Sequence, residues 1–423
     1  MRRVIIPILL AAATCAAQEP FERVLQLART RRKMAQVLTH LPDYTCVATT
    51  QRIAQGSKEH SARVADTLRY EIAHFDGKEL WAWPGAAKFQ DTPLTSMVQN
   101  GVIGKADFAL HARAVFVDGN ANVKFGGEQD LEGRRALRWD FTIPVFASGW
   151  TIVSQGRSVV AGSSGSFWAD ANTLDVLRLE IRTDGLPPDF PLSNAAQTID
   201  YAQTQTGSGS VLLPQTALLT MELADGGRRS NLTEYSHCRR YSGEAQISFG
   251  AAPEAGATPT LAPVKPLEVS LPPGLTVRVK LKSPIDSKTA VVGDALEATI
   301  AADVSDHGSM LIPSGALLTG RIRRLEQRDD GTQYFIVGVE FDDIEFPGHH
   351  ARFFGSLKSA GAEEVEIDLF MGSTRTTRVQ QNSINESRVG SFHLADVPGV
   401  ATLFVKGARF RLREGTQMVW ETR

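Results

Sequence analysis

A mainly β protein with an N-terminal helix is what the 423 residues predict: a long antiparallel sheet curved around that helix, followed by a small β-barrel or sandwich. Three observations carry this. Apolar residues alternate with charged or polar ones over many short runs, the period of a sheet with one packed face and one wet face. Turn-forming pairs punctuate those runs. A Pro- and Ala-rich break at residues 251–273 separates two such β-rich regions.

The first 17 residues read as an export signal. Arg2 and Arg3 precede an apolar stretch from Val4 to Ala13, and the small residues Thr14, Cys15, Ala16 and Ala17 precede the polar Gln18. An apolar core of this length is too short to span a bilayer and fits a cleaved leader, with cleavage expected after Ala17. The alternative is a lipoprotein signal with Cys15 as the lipid anchor, although Thr14 is unusual before such a cysteine. Either reading places the protein in the periplasm or at the outer envelope. No later run approaches the ~18 apolar residues of a membrane-spanning helix.

The front domain is expected over 18–247. From Phe21, the apolar positions Val24, Leu25, Ala28, Met34, Val37, Leu38 and Leu41 follow helical spacing, with Pro20 near the first turn and Pro42 at the end. Strands follow. Leu137, Trp139, Phe141 and Ile143 alternate with Arg138, Asp140 and Thr142; Leu177, Leu179 and Ile181 alternate with Arg178, Glu180 and Arg182; Ala217, Leu219, Met221 and Leu223 repeat the pattern. Asp76-Gly77, Glu132-Gly133, Asp170-Ala171-Asn172 and Asp225-Gly226-Gly227 supply the turns. Residues 93–112 are less strand-like and suggest one or two short helices. Sequential strands usually pair, so a meander wrapped around the helix is the economical topology.

The linker is expected over 248–273 and the rear domain over 274–423. Residues 276–281, 296–300 and 334–341 alternate cleanly, and many short strands between Gly, Pro and Asp suggest a barrel or sandwich. The polar residues 373–391 read as a loop.

Composition excludes several functions. Forty-five basic against 47 acidic residues leave a net charge of −2, so there is no basic footprint for nucleic acid. Of three cysteines, Cys15 belongs to the leader. Cys46 and Cys238 form an even pair in an oxidising compartment, which implies a disulfide, with two buried free thiols as the alternative. Neither has a metal-ligand partner at zinc spacing.

Catalytic signatures are missing. His349 and His350 are adjacent, so in a strand they face opposite ways. Asp107 and His111 would share a helix face, but no third partner completes an acid–base site. Gly162 to Ser166 fails the nucleophile-elbow spacing and leads into Phe167-Trp168 of a strand. Phosphate-loop glycine patterns are absent. The expectation is a non-catalytic protein with no cofactor and no metal site.

Aromatic placement is the remaining bias. Trp81, Trp83, Trp139, Trp150 and Trp168 lie in the front domain and only Trp420 in the rear. Trp81, Trp83, Trp139, Phe141 and Trp168 are the candidates for lining an apolar cavity between helix and sheet; ordinary core packing is the competing reading.

Two resemblances complete the reading. The helix, the meander, and the phrase from Ser166 to Arg178 (strand, D-x-x-T turn, return strand) make the front domain similar to LolA/RseB-like half-open β-barrels. It also resembles uncharacterised secreted proteins of acidobacterial type through Leu41 to Cys46, Asp76 to Leu80 and Asp107 to Arg113. The rear domain resembles the C-terminal β-barrel of TrbI-type conjugation proteins through Ile285 to Ser287, Ala290 to Asp294 and Leu311 to Ala316. It departs from them at residues 373–391, which are polar where a pore former needs an apolar helical pair. The resemblances imply an envelope protein that binds a lipid, lipoprotein or apolar peptide. The alternative is an assembly subunit that presents sheet edges to protein partners; a hydrolase with an unrecognised site comes third.

Overall fold

The computed structural model describes residues 10–59, 61–75, 78–86, 88–91, 108–206, 209–240, 266–329, 333–361 and 400–423, with backbone alone for 10–20. The turn expected at Asp76-Gly77, most of the linker and the polar residues 373–391 lie outside these.

Helix α1 spans Leu10–Thr39. The expected cleavage position falls inside this helix, in the part described by backbone alone. Strands β1 (Tyr44–Gln55), β2 (Arg63–Phe75) and β3 (Lys78–Ala82) follow, then helix α2 (Phe108–Phe116). Of the window 93–112 expected to carry one or two short helices, residues 93–107 lie outside the described residues, and α2 takes up the remainder and runs on to Phe116. Then come β4 (Asn122–Leu131), β5 (Arg134–Ile143), the short hairpin β6 (Thr151–Ser154) and β7 (Arg157–Val160), β8 (Gly162–Asp170), β9 (Val176–Asp184), β10 (Leu192–Gln205), β11 (Ser210–Leu223) and β12 (Arg228–Arg240).

Ten of these strands form one open, curled antiparallel sheet in the order β3-β2-β1-β12-β11-β10-β9-β8-β5-β4. This departs from a simple meander in one respect. The first and last strands, β1 and β12, pair in the interior of the sheet, so both edges, β3 and β4, come from the middle of the chain segment. Cys46 of β1 and Cys238 of β12 are joined by a disulfide across that pairing.

The turns form where their residues dictate. Glu132 and Gly133 both take left-handed backbone angles, φ 54° and 80°, as a tight hairpin between twisted strands requires. At the β8–β9 turn the Asp170 carboxylate accepts the N–H groups of Asn172 and Thr173, each at 2.9 Å, and pairs with Arg134 at 2.6 Å. Burial opposes its charge, but these donors hold its pKa below the ordinary range.

Helix α1 lies on the inner face, its C-terminal half with the face its apolar spacing implied and its first turns without it. Met34 and Leu38 are buried against the sheet, whereas Phe21, Val24 and Leu25 are exposed. Arg23 and Arg31 sit on the sheet side instead. Arg23 reaches Glu128 at 2.9 Å and covers the Phe125 ring, and Arg31 donates to the Ala121 carbonyl at 3.0 Å. Long guanidinium stems can lie along an apolar edge strand while their heads find acceptors, which is how they displace smaller apolar side chains from that face.

The rear chain builds a second sheet. Its strands are β13 (Leu267–Glu268), β14 (Thr276–Leu281), β15 (Ile285–Asp286), β16 (Ala295–Ile300), β17 (Val304–Asp306), β18 (Ser309–Ile312), β19 (Leu317–Asp329), β20 (Gln333–Phe346), β21 (His349–Arg352), β22 (Gly355–Gly361), β23 (Val400–Lys406), β24 (Arg411–Leu412) and β25 (Gln417–Thr422). Nine of them join in the order β13-β21-β20-β19-β16-β14-β25-β22, with β23 also on β20. The C-terminal strand thus closes onto β14, and Trp420, fully buried, meets Phe341 and Phe353 edge-on. The end of the expected linker is not free: residues 267–268 pair with β21 in parallel.

The two sheets touch. Val292 bridges to Leu68 of β2 beyond the point where β3 stops, donating to the Thr67 carbonyl at 2.9 Å and accepting from the Arg69 N–H at 2.7 Å. Arg69 and Asp294 add an ion pair at 2.6 Å.

Candidate binding site on the inner face of the front sheet

Cross-strand pairing lays one row of side chains across nine strands on the inner face. Directly opposite neighbours run Phe125, Trp139, Phe167, Leu179, Ile199, Ala217, Thr233, Thr50 and Leu68. Each strand contributes one residue because side chains alternate faces with period two. From β5 to β11 the row is wholly apolar and lies in the core shared with Met34 and Leu38 of α1 and Ala112, Val115 and Phe116 of α2. Phe116 meets Phe167 edge-on at 4.8 Å, and Trp139 lies parallel to Phe167 at 6.4 Å.

Toward β12, β1 and β2 the lining changes to hydroxyls. Thr50 Oγ1 lies 2.8 Å from Thr233 Oγ1 and 3.2 Å from the Tyr70 hydroxyl. Tyr44, Tyr70 and Tyr201 each stand within electrostatic reach of Tyr235, and burial raises the pKa of all four, with Glu79 adding to the rise at Tyr44, Tyr70 and Tyr235. All four therefore stay neutral at physiological pH. Neutral phenols in an apolar recess act as hydrogen-bond donors and acceptors without charge.

Several polar atoms on this face have no protein partner. The Tyr201 hydroxyl, the Trp139 indole N–H and Thr30 Oγ1 of α1 are all enclosed and unpaired. Leaving a buried polar group unmade costs about 1–3 kcal/mol each.

Of the five aromatic candidates, the structure brings Trp139 and Phe141 together on this face, both buried in the same core. Trp168 follows Phe167 by one residue and so points to the opposite face, where it packs with Ala136 and Leu177. Trp81 and Trp83 lie at the β3 edge, edge-on to each other at 6.4 Å, in the core shared with the rear sheet. The tyrosines were missed. Tyr70 between Leu68 and Ile72, and Tyr201 two residues after Ile199, carry the alternation that marks an inward position, but only the register brings them together.

His111 of α2 is enclosed against Trp150, ring centroids 4.5 Å apart, and burial lowers its pKa to about 4 despite a hydrogen bond to Gln197 that favours the protonated ring. Asp107 lies outside the described residues. His350 pairs with Asp343 at 2.6 Å while His349 stacks on Phe346, so the two rings do face apart. Among the described residues no cluster of His, Cys, Asp or Glu is arranged to hold a metal, and no helix is long and apolar enough to cross a membrane.

No known protein family matches the sequence, and no curated protein does. Solved structures give partial likenesses. A Vibrio parahaemolyticus domain described as one of outer-membrane lipoprotein sorting is 12% identical, with 52% of this chain and 94% of that one covered and a TM-score of 0.29. A DUF1329-family protein from Desulfovibrio piger is 14% identical over 51% and 92% of the two chains, TM-score 0.29. A LolA-superfamily protein from Nitrosomonas europaea is 12% identical over 48% and 87%, TM-score 0.26. These neighbours lend no support to the acidobacterial-type or TrbI-type resemblance.

Proposed function

We propose that this is an exported, non-catalytic envelope protein whose front sheet holds the apolar chain of a lipid, a lipoprotein or an apolar peptide between its inner face and the helices α1 and α2. The observation that carries the reading is the Tyr201 hydroxyl, enclosed beside an apolar row and left without a partner. An acyl chain seated on that row, with its ester or amide near Tyr201, supplies the missing hydrogen bond. Burial contributes about 0.8 kcal/mol per methylene, so a modest length of chain suffices. Entry requires the helices to shift, because Met34 and Leu38 occupy the groove in the present state.

Mass spectrometry of lipids that co-purify with mature protein, together with tryptophan fluorescence titrated with lipopeptides and fatty acids, tests it. A saturable change with Trp139 reporting supports binding. No co-purifying lipid and no saturable change would end the lipid reading.

A second reading, assembly with a protein partner, has one specific observation behind it. Between β5 and β8, Phe146 is 89% exposed and Val153 68%, beside the exposed Val145 and Val160. Apolar side chains gathered at a rim are a common mark of an interaction surface.

A further inference from the structure

Helix α1 turns apolar side chains outward and arginines inward over its first turns. Phe21, Val24, Leu25 and Ala28 stand at i, i+3, i+4 and i+7, so they form one stripe along the helix. All four are exposed, Phe21 at 72% and Val24 at 65%. The sheet side of the same helix carries Arg23, which lies over the Phe125 ring, and Arg31, which donates to the Ala121 carbonyl. Single apolar side chains at a surface are ordinary. A helical stripe of them, on a helix that gives its inner side to cations, is a surface to be covered.

The charge on the helix says what covers it. Between Phe21 and Thr39 it has five cationic side chains and a single acidic one, Glu22. Three of the five are engaged with the sheet: Arg23 with Glu128 at 2.9 Å, Lys33 with Asp175 at 2.8 Å, and Arg31 with the Ala121 carbonyl at 3.0 Å. Arg29 and Arg32 are exposed and have no acceptor among the described residues. Each follows a stripe residue by four positions, Leu25 and Ala28, so the pair continues the stripe by one turn. Glu22 lies at the border, where it accepts from Gln26. A stripe apolar at one end and cationic at the other matches an anionic lipid surface: the hydrocarbon receives the ring and methyl groups while headgroup phosphates receive the guanidinium groups. The patch of Val145, Phe146, Val153 and Val160 has no such match, because Arg157, the cation of its hairpin, is paired with Asp189 at 2.8 Å.

We propose that the outer face of α1 docks on an anionic phospholipid surface, the helix lying along it with Phe21, Val24 and Leu25 below the headgroups and Arg29 and Arg32 among the phosphates. A helix that lies on a membrane needs neither the length nor the all-round apolarity of one that spans it. Docking uses α1 in its present position, and Met34 and Leu38 keep their places against the sheet. This surface is separate from the inner face of the front sheet and does not depend on an acyl chain being bound there. It sets α1, one wall of that groove, against a source of acyl chains.

The test uses the processed chain, Gln18 to Arg423, so that the leader adds no vesicle binding of its own. Co-sedimentation is measured with vesicles of phosphatidylcholine alone and of phosphatidylcholine with phosphatidylglycerol, at low and high potassium chloride. The expected result is saturable binding to the mixed vesicles only, weakened by salt. Arg29→Gln with Arg32→Gln should weaken it roughly thirtyfold, about fivefold for each charge lost, and Phe21→Ser with Leu25→Ser should abolish it. These positions are exposed, so both variants should keep the parent Tm. A dye sensitive to its surroundings, attached at Leu25→Cys, gives a second reading, since Cys46 and Cys238 are joined to each other. Its emission should shift to the blue on the mixed vesicles. The same dye at His307→Cys, in the β17–β18 turn where the histidine side chain is 97% exposed, should not shift. Tyr201→Phe should sediment as the parent does. The proposal is overturned if the mixed vesicles do not bind, if both α1 variants bind as the parent does, if the dye at Leu25→Cys stays in water, or if Tyr201→Phe alone abolishes sedimentation.

Discussion

Val292 completes the row beside Leu68: with β3 ending short, a residue of the loop between β15 and β16 occupies the next position along the edge of β2, tied by two backbone hydrogen bonds of 2.9 and 2.7 Å. Gly293 makes this approach possible. A Cβ there would lie 2.1 Å from the Arg69 carbonyl oxygen and 2.9 Å from the Trp83 ring, at a φ of 103°. Gly293→Ala is therefore expected to destabilise the protein by about 2–3 kcal/mol, combining backbone strain with overpacking. Gly274→Ala, at φ 88° with nothing within 4 Å, should cost only about 1 kcal/mol. Urea unfolding of both variants checks the contrast, and equal losses would remove the close approach as its cause.

Reduction of the Cys46–Cys238 bond should be costly. The 192-residue separation corresponds, on the chain-entropy account, to about 5 kcal/mol of stabilisation. Cys46→Ser with Cys238→Ser is expected to lower the urea midpoint by a matching amount without changing the far-UV spectrum of the folded state. A midpoint within error of the parent would show that the cross-link contributes nothing.

His111 gives the molecule an acid sensitivity. Unfolded, it takes up a proton near the ordinary 6.5; folded, burial resists protonation down to about 4. The unfolded chain thus binds more protons between those values. Stability from this group is complete above pH 6.5, declines as pH falls through the window and is gone by pH 4, a change of about 3 kcal/mol. His111→Gln should flatten that part of the curve. Denaturant titrations at a series of pH values measure it, and parallel curves for parent and variant would refute the assignment.

Tyr201→Phe separates folding from binding by sign. Removing an enclosed, unpaired hydroxyl should leave the free protein as stable as before or more stable by about 1 kcal/mol. The same change should weaken a bound lipopeptide several-fold, the loss of one neutral hydrogen bond. Thermal unfolding and fluorescence titration give the two readings. Weaker stability with unchanged affinity would mean that the hydroxyl is structural.

Export has its own mark. Intact mass of protein recovered from the cell envelope is expected to begin at Gln18, a diacylglyceryl adduct on Cys15 being the lipoprotein outcome. Full retention of the first 17 residues would contradict both.

Much of the sheet was legible in the sequence because alternation and turn chemistry are local. β5, β9, β11, β14 and β20 fall where the alternating residues place them, and the Glu132-Gly133 and Asp225-Gly226 turns sit where left-handed backbone was demanded. The disulfide was legible from the expected export and the parity of the cysteines alone. That bond also joins the first strand of the front domain to its last, as β1 and β12 are joined; what stayed hidden is that the pair lies inside the sheet with β3 and β4 as edges, since strand order is a non-local choice that no run of residues encodes. Helix α1 misled for a different reason. Its apolar spacing ignored how far Arg23 and Arg31 can reach, so Val24 and Leu25 were given the face those arginines occupy. The tyrosine lining stayed hidden because Tyr44, Tyr70, Tyr201 and Tyr235 are scattered along the chain and meet only through register.

The bridge between Cys46 and Cys238 also decides how the molecule bears load. Tension along the chain that enters through α1 crosses at the sulfur atoms and leaves toward the rear sheet. Strands β2 to β11 lie inside the bypassed loop, so the covalent path of that force does not run through them. The backbone that builds most of the inner face of the front sheet thus lies off the covalent line between the two ends of the chain.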